Sequence, residues 1–121
     1  MKSARIALAL CVALAPLPAL AHAKLKSSSP AASAKVMSGL KEIKLEFSEA
    51  IEPSFSKFEL NDASGKAVTS MTGDKACAKA KCKFEISPLG PGVYTVKYHV
   101  LSSDGHVVDG IFNITVTGSA G

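Results

Sequence analysis

Two histidines and one aspartate in this chain have the chemistry of metal ligands. His22 follows an Ala-Leu-Ala sequence near the start, and Asp104 and His106 flank a glycine in an Asp-Gly-His turn near the end. If His22 becomes the N-terminal residue, its α-amine, with a pKa of about 7.7–8, and its imidazole can chelate one ion. A second imidazole and a carboxylate complete the nitrogen-rich, tetragonal ligand set that Cu(II) prefers. These three residues therefore predict a site for one Cu(II) ion per chain.

The predicted chelate exists only if the peptide bond before the histidine is cleaved. Lys2 and Arg5 form a positive segment, an uninterrupted apolar run follows, and Ala-Leu-Ala is a cleavage site, which is the order of a secretory signal peptide. The apolar run is shorter than the ~20 residues of a membrane span, which disfavours the alternative of a membrane anchor. We expect residues 1–21 to be removed and residues 22–121 to form one exported domain that is not embedded in a membrane.

The composition argues against a nucleic-acid partner for the processed chain. The 121 residues carry a formal charge of +4, which falls to +2 without Lys2 and Arg5, and lysine and glutamate are interleaved along the remainder. Tryptophan is absent, and aromatic residues make up 6% of the chain. Nucleic-acid binders need clustered positive charge, and single-strand binders also need aromatic surface for stacking. We therefore expect a nearly neutral globular domain with no nucleic-acid partner.

Two cysteines, Cys77 and Cys82, remain after the predicted cleavage. An even pair of cysteines in an exported protein favours a disulfide. The bond would close a short loop, so its entropic contribution is at the low end of the usual few kcal/mol. The alternative is a soft thiolate copper site with Met71 nearby.

Strands and turns must position these residues. Apolar and polar residues alternate with a period of two, which is typical of half-buried strands, in five segments. These segments are residues 43–47, 57–60, 84–86, 94–100 and 112–116. Short pieces near residues 24–27 and 67–70 bring the number to about seven, which predicts a small all-β sandwich. No segment has a sustained helical period, although residues 38–41 could start a helical turn.

The longest predicted strand, residues 93–101, ends at the Asp-Gly-His turn, and a sandwich can bring that turn beside the first strand. Tyr94 enters this strand after a Gly-Pro-Gly corner, as in the tyrosine corner of Greek-key sandwiches, where the hydroxyl bonds back to the preceding connection. A plain core tyrosine is the alternative. His99 falls on the polar face with Lys97, so we expect a solvated surface histidine there.

The chain resembles the CopC family of copper-resistance proteins over essentially all of residues 22–116. The matching stretches are His22 to Pro30, Leu45 to Glu49, Gly92 to Val96 and Tyr98 to His106, followed by Gly110 and Phe112. The N-terminal histidine together with the S-x-D-x-H motif is a specific signature. The resemblance implies a seven-stranded Greek-key β-barrel or sandwich, of the immunoglobulin or cupredoxin type, in a periplasmic protein that we expect to be a monomer.

The resemblance also implies roles for particular residues. The Cu(II) ligands would be the amine and imidazole of His22, together with Asp104 and His106. Glu49 matches a family carboxylate close to the N-terminal amine, and we assign it the role of accepting a hydrogen bond from that amine and orienting it. The alternative for Glu49 is an ordinary solvated side chain at the end of a strand.

Some members of the family carry a methionine-rich loop for Cu(I), an ion suited to soft thioether ligands. Met37 and Met71 are far apart in this sequence, so we expect a protein that binds Cu(II) only. The usual partner of the family is an inner-membrane copper transporter of the CopD type, and the resemblance extends that partner to this chain.

Three functions from different classes fit these residues. The first is a Cu(II)-binding protein without enzymatic turnover, which sequesters or delivers copper. The second is a copper mono-oxygenase with a histidine brace, which is disfavoured because no tryptophan is present and Tyr94 and Tyr98 are both assigned inward. The third is a metal-free immunoglobulin-like interaction module, in which His22 and His106 would be distant or dispensable.

Overall fold

The computed structural model describes residues 24–71 and 76–118, so the predicted signal peptide and His22 lie outside the described residues. Nine strands and one 3-10 turn, Pro53–Phe55, occur in these ranges. The strands are β1 Leu25–Ser29, β2 Lys35–Met37, β3 Leu40–Phe47, β4 Lys57–Asn61, β5 Ala67–Met71, β6 Cys77–Ala78, β7 Lys81–Leu89, β8 Gly92–Leu101 and β9 Val107–Thr117. Over the same ranges, no helix has the length and apolar character needed to cross a membrane.

The strands form two sheets, with the orders β1-β3-β7-β6 and β2-β9-β8-β4-β5. Neighbouring strands pair antiparallel, except that β2 runs parallel to the end of β9. Antiparallel sheets commonly keep one face on the core and one in water, which requires alternating residues. The all-β sandwich predicted from that alternation is confirmed.

The core consists of the inward positions of the two sheets. Its most deeply buried hydrophobic members, at most 2% exposed, are Ile43, Leu45, Phe47, Leu60, Cys82, Val96, Val100, Ile114 and Val116. Each fully buried aliphatic or aromatic side chain stabilises the fold by about 1.5–3 kcal/mol relative to exposure. The same strands turn their charged residues outward, so the alternation seen in the sequence is the alternation of the two faces.

The structure differs from the sequence prediction in its shortest elements. The strands β2 and β6 were not predicted, because two or three residues show no period and form strands only where a neighbour supplies hydrogen bonds.

The helical turn considered for residues 38–41 is wrong. Gly39 adopts a φ of +97°, in the left-handed region that ends rather than starts a helix, and β3 begins at the next residue.

Two local predictions are confirmed. Cys77 and Cys82 form a disulfide between directly opposite residues of β6 and β7. Because neither sulfur is a thiolate, the alternative thiolate copper site is ruled out, and Met71 instead packs in the core at 6% exposure. The Tyr94 hydroxyl donates a 2.9 Å hydrogen bond to the carbonyl of Gly90, which is the tyrosine corner.

Tyr98 depends on a glycine in the neighbouring strand. Its ring packs edge-to-face on Phe47 of the other sheet, with 5.4 Å between ring centroids, and burial raises the pKa of its hydroxyl. Gly110 lies opposite Tyr98 in β9, and a Cβ atom at Gly110 would lie 2.0 Å from Cζ of the ring. The ring therefore occupies the space that any other residue at position 110 would need.

We predict that Gly110→Ala destabilises the protein by about 1–3 kcal/mol, because the ring must leave a packed position. The free energy of unfolding in urea measures this change. Gly90→Ala is the matched control, since nothing lies within 4 Å of a Cβ there. Combining Gly110→Ala with Tyr98→Ala should remove most of the clash, and equal losses for Gly110→Ala and Gly90→Ala would contradict the argument.

Candidate metal centre

Asp104 and His106 lie in the tight turn that joins β8 to β9. Gly105 adopts a φ of +93°, a conformation that favours glycine and lets the chain reverse in few residues. The turn is closed by two backbone hydrogen bonds, from the Ser102 N–H to the His106 carbonyl at 2.8 Å and from the Gly105 N–H to the Ser102 carbonyl at 2.9 Å. The backbone alone therefore brings the aspartate and the histidine to one end of the sandwich.

The Asp104 carboxylate is held by three donors on one oxygen. Its Oδ1 accepts hydrogen bonds from the Ser102 hydroxyl, from the His106 backbone N–H at 3.2 Å and from His106 Nδ1 at 3.1 Å. These hydrogen bonds lower the pKa of Asp104 to about 2. The bond from the Ser102 hydroxyl has the largest effect, and the bond from the His106 ring has the next largest. The carboxylate is thus anionic throughout the neutral range.

The same contact fixes the tautomer of the His106 ring. A carboxylate can only accept, so the Nδ1 that faces Asp104 carries a proton, and the lone pair of the neutral imidazole is on Nε2. Histidines that bind metals commonly donate their other ring N–H to a carboxylate or carbonyl in this way. The pair therefore has the arrangement of an oriented imidazole ligand.

A short strip of backbone that follows β3, residues 48–50, connects the start of the first strand with this turn. At one end of the strip, Lys24 and Ser48 exchange two hydrogen bonds, from Lys24 N–H to Ser48 Oγ at 2.9 Å and from Ser48 N–H to the Lys24 carbonyl at 2.7 Å. At the other end, the Ala50 carbonyl accepts a 2.9 Å hydrogen bond from Ser103 N–H. Glu49, which is half-buried, lies between these two attachments.

The structure brings together Asp104 and His106 and places Glu49 on the strip that leads to them. His22 lies outside the described residues. In residues 24–71 and 76–118, no three or more His, Cys, Asp or Glu side chains form a group that could hold a metal ion. Asp104 and His106 are therefore two candidate ligands, and a complete site would need at least one further ligand.

His99 belongs to a different surface. It lies on the outer face of its sheet, where its Nδ1 contacts Oδ1 of the cross-strand residue Asp109. Its side chain is 51% exposed. The prediction of a surface histidine is confirmed, with the added finding that it is paired with a carboxylate.

Ser102 is the serine of the S-x-D-x-H motif, but no role was assigned to it from the sequence, and its hydroxyl donates a hydrogen bond to the Asp104 carboxylate. A signal was present, because the inward alternation of Val96, Tyr98 and Val100 continues to position 102. An inward-facing serine is an exception to the apolar pattern, and Ser102 is 1% exposed. A buried hydroxyl is normally there to make a hydrogen bond.

The fold and the turn define a class of small two-sheet β-sandwich proteins with an oriented aspartate–histidine pair at one end. Among solved structures, the chain is similar to CopC from Methylosinus trichosporium OB3b, with a TM-score of 0.73 and 34% identity, covering 83% of this chain and 98% of that one. It is also similar to PcoC, a methionine-rich copper resistance protein from Escherichia coli, with a TM-score of 0.70 and 30% identity, covering 80% and 100% of the two chains.

The sequence comparisons agree with the structural ones. The model of the CopC domain matches residues 25–117. The chain is 33% identical over 120 residues to Protein YobA of Escherichia coli strain K12, covering 95% of each protein. It is 35% identical over 106 residues to Copper resistance protein C of Escherichia coli, covering 81% of this chain and 83% of the relative. The chain belongs to the CopC family, which confirms the resemblance drawn from its motifs.

In the metal-free protein, we predict that the Asp104 carboxyl titrates with a midpoint of about 2, below its ordinary value of 3.8. Because the folded-state pKa is lowered, the carboxylate stabilises the fold fully above its unfolded-state pKa, and this contribution is lost as the pH falls from about 4 towards 2. The side-chain carboxyl 13C shift measures the midpoint. Asp104→Asn should remove the corresponding pH dependence of stability, and a midpoint near 3.8 would contradict the hydrogen-bonding argument.

Proposed function

We propose that this protein binds one Cu(II) ion in the periplasm and serves copper homeostasis or resistance by sequestering or delivering the ion. The ligands would be the amine and imidazole of His22, the Asp104 carboxylate and His106. The observation that carries the proposal is the aspartate–histidine pair, fixed at the end of the sandwich where the first strand begins. The names of the relatives, copper resistance proteins, support the copper-related function.

The backbone around the turn supports a contribution from the N-terminus. Lys24 is tied to Ser48, and Ala50, two residues further on, is tied to the turn. Two residues of chain span at most about 7 Å when fully extended. The step from Ser48 to Ala50 is therefore no longer than this, and the two residues from Lys24 back to His22 can cover the same distance. A processed N-terminus is thus within reach of Asp104 and His106, and Glu49 would accept a hydrogen bond from its amine.

The chemistry of the proposed ligands favours Cu(II). Three nitrogens and one carboxylate oxygen suit its tetragonal preference, and an anionic ligand stabilises the higher oxidation state. The soft ligands that Cu(I) prefers are not grouped in the described part of the chain. Met37 is 56% exposed at the end of β2, Met71 is buried at the end of β5, and the two cysteines are joined.

The proposed protein has no turnover of its own and passes its ion to a partner or stores it. The partner implied by the family is an inner-membrane copper transporter of the CopD type. Both tyrosines face inward, with Tyr94 buried and Tyr98 packed on Phe47, so they provide no flat aromatic surface for a polysaccharide. Polymer oxidation by the copper-loaded protein with a reductant would favour the histidine-brace enzyme instead.

We predict that the exported, processed protein binds Cu(II) in a 1:1 complex with a nitrogen-rich, tetragonal EPR spectrum. Mass spectrometry is needed to check that the N-terminus is His22, and competition titration measures the affinity. A matched protein with one additional residue before His22 should lose the tight site, because its histidine no longer carries the free amine. Equal, weak binding by both proteins would overturn the proposal and leave the metal-free interaction module as the better account.

We predict that His106→Ala lowers the Cu(II) affinity by several orders of magnitude and changes the stability little, since the side chain is 59% exposed. His99→Ala is the matched control, because it removes an exposed histidine with a carboxylate partner from the same hairpin. Competition titration and thermal unfolding measure the two effects. If His106→Ala binds copper as tightly as His99→Ala does, His106 is not a ligand.

A further inference from the structure

The Ser102 hydroxyl is the most deeply buried polar side-chain group near the turn. Ser102 is 1% exposed, and its hydroxyl donates to Asp104 Oδ1 and lies 3.4 Å from the His106 backbone N–H, which points to it. Removing a hydroxyl from water is unfavourable unless its hydrogen bonds are replaced. The Asp104 carboxylate supplies the hydrogen-bond acceptor that this buried hydroxyl needs.

The turn does not need this hydroxyl to close. The backbone N–H and carbonyl of Ser102 already bond to His106 and Gly105, and Ser102 also pairs with Ile51 in an isolated β-bridge. An alanine at position 102 would keep all of these backbone contacts. What it would lose is the hydroxyl contact with Asp104 and the weaker one with the His106 N–H.

The hydroxyl contact sets the orientation of the carboxylate. Three donors, one from Ser102 and two from His106, converge on Oδ1 and fix the rotation of the Asp104 carboxylate plane. Oδ2 accepts none of these three bonds. The carboxylate in turn holds the His106 ring through Nδ1, so one buried hydroxyl influences both side chains.

We propose that Ser102 is a positioning residue, whose buried hydroxyl presets Asp104, and through it His106, for metal binding. This inference rests on the proposed Cu(II) site and adds to it a residue that does not touch the metal. Ligands that are already oriented lose less conformational freedom when the ion binds. Changing an outer partner of a metal ligand typically costs about 10–100-fold in affinity.

The first test compares Ser102→Ala with Ser103→Ala in the processed protein. Ser103 is the exposed neighbour, and the contact described for it is made by its backbone N–H. We expect Ser102→Ala to lower the Cu(II) affinity by about 10–100-fold and to shift the EPR hyperfine coupling, and Ser103→Ala to change neither. Parental affinity and spectrum in Ser102→Ala would overturn the inference while leaving the Cu(II) site intact.

A second pair separates the hydroxyl from packing. Ser102→Thr and Ser102→Val have the same shape and differ in the hydroxyl, so they also serve if Ser102→Ala fails to fold. The threonine variant should bind Cu(II) at least about 10-fold more tightly than the valine variant. Equal affinities in this pair would show that packing alone matters and would refute the role of the hydroxyl.

A readout without metal keeps the inference distinct from the proposed function. The 15N shifts of the His106 ring in the metal-free protein report which nitrogen carries the proton. We expect the Nδ1-protonated tautomer to predominate in the parent and in Ser103→Ala, and a mixture of tautomers in Ser102→Ala. If the parent binds no Cu(II), the proposed function fails, and these shifts still decide whether Ser102 orients the pair; identical tautomers in all three proteins would contradict it.

Discussion

The pairing of β8 with β9 is the constraint on which the rest of the site depends. It runs without a bulge from Gly92 opposite Val116 to Leu101 opposite Val107. Because side chains alternate along a strand, a slip by one residue would turn every inward residue outward. The buried apolar residues of both strands therefore fix where the hairpin reverses. The register that the core specifies therefore sets where the backbone of the aspartate and the histidine lies, and the hydrogen bonds within the turn orient their side chains.

The turn also depends on the packing of one sheet on the other. The strand β3 belongs to the first sheet, and the residues that follow it cross to the second, where Ile51 pairs with Ser102. Close by along the same two strands, Phe47 of β3 packs on Tyr98 of β8. The start of β1 and the end of β8 are thus connected through the same packed residues of the two sheets. The proposed ligands are far apart in the chain, and in the proposed site the sandwich would bring them together.

Much of this arrangement could be predicted from the sequence, and the reasons for the exceptions are physical. Strands of five residues or more have enough positions for a period to show, whereas β2 and β6 owe their existence to a neighbouring strand. The pair Asp104 and His106 was found because its residue types and the glycine between them are informative by themselves. Ser102, the serine of the same motif, was given no role from the sequence, because a serine acts in a site only through its burial and its hydrogen-bond partner. The position of His22 remains a prediction, since the sequence fixes its distance from Lys24 along the chain and not its direction.

The contact between Tyr98 and Gly110 has a consequence for the history of the sequence. The ring fills the volume that a side chain at position 110 would require, so Tyr98 fits only opposite a glycine. A substitution of Gly110 becomes acceptable only after Tyr98 has been replaced by a residue with a smaller side chain. The change at position 98 can come first, since a smaller residue there leaves a void but creates no clash. The two positions should therefore covary among relatives, with the change at position 98 coming first.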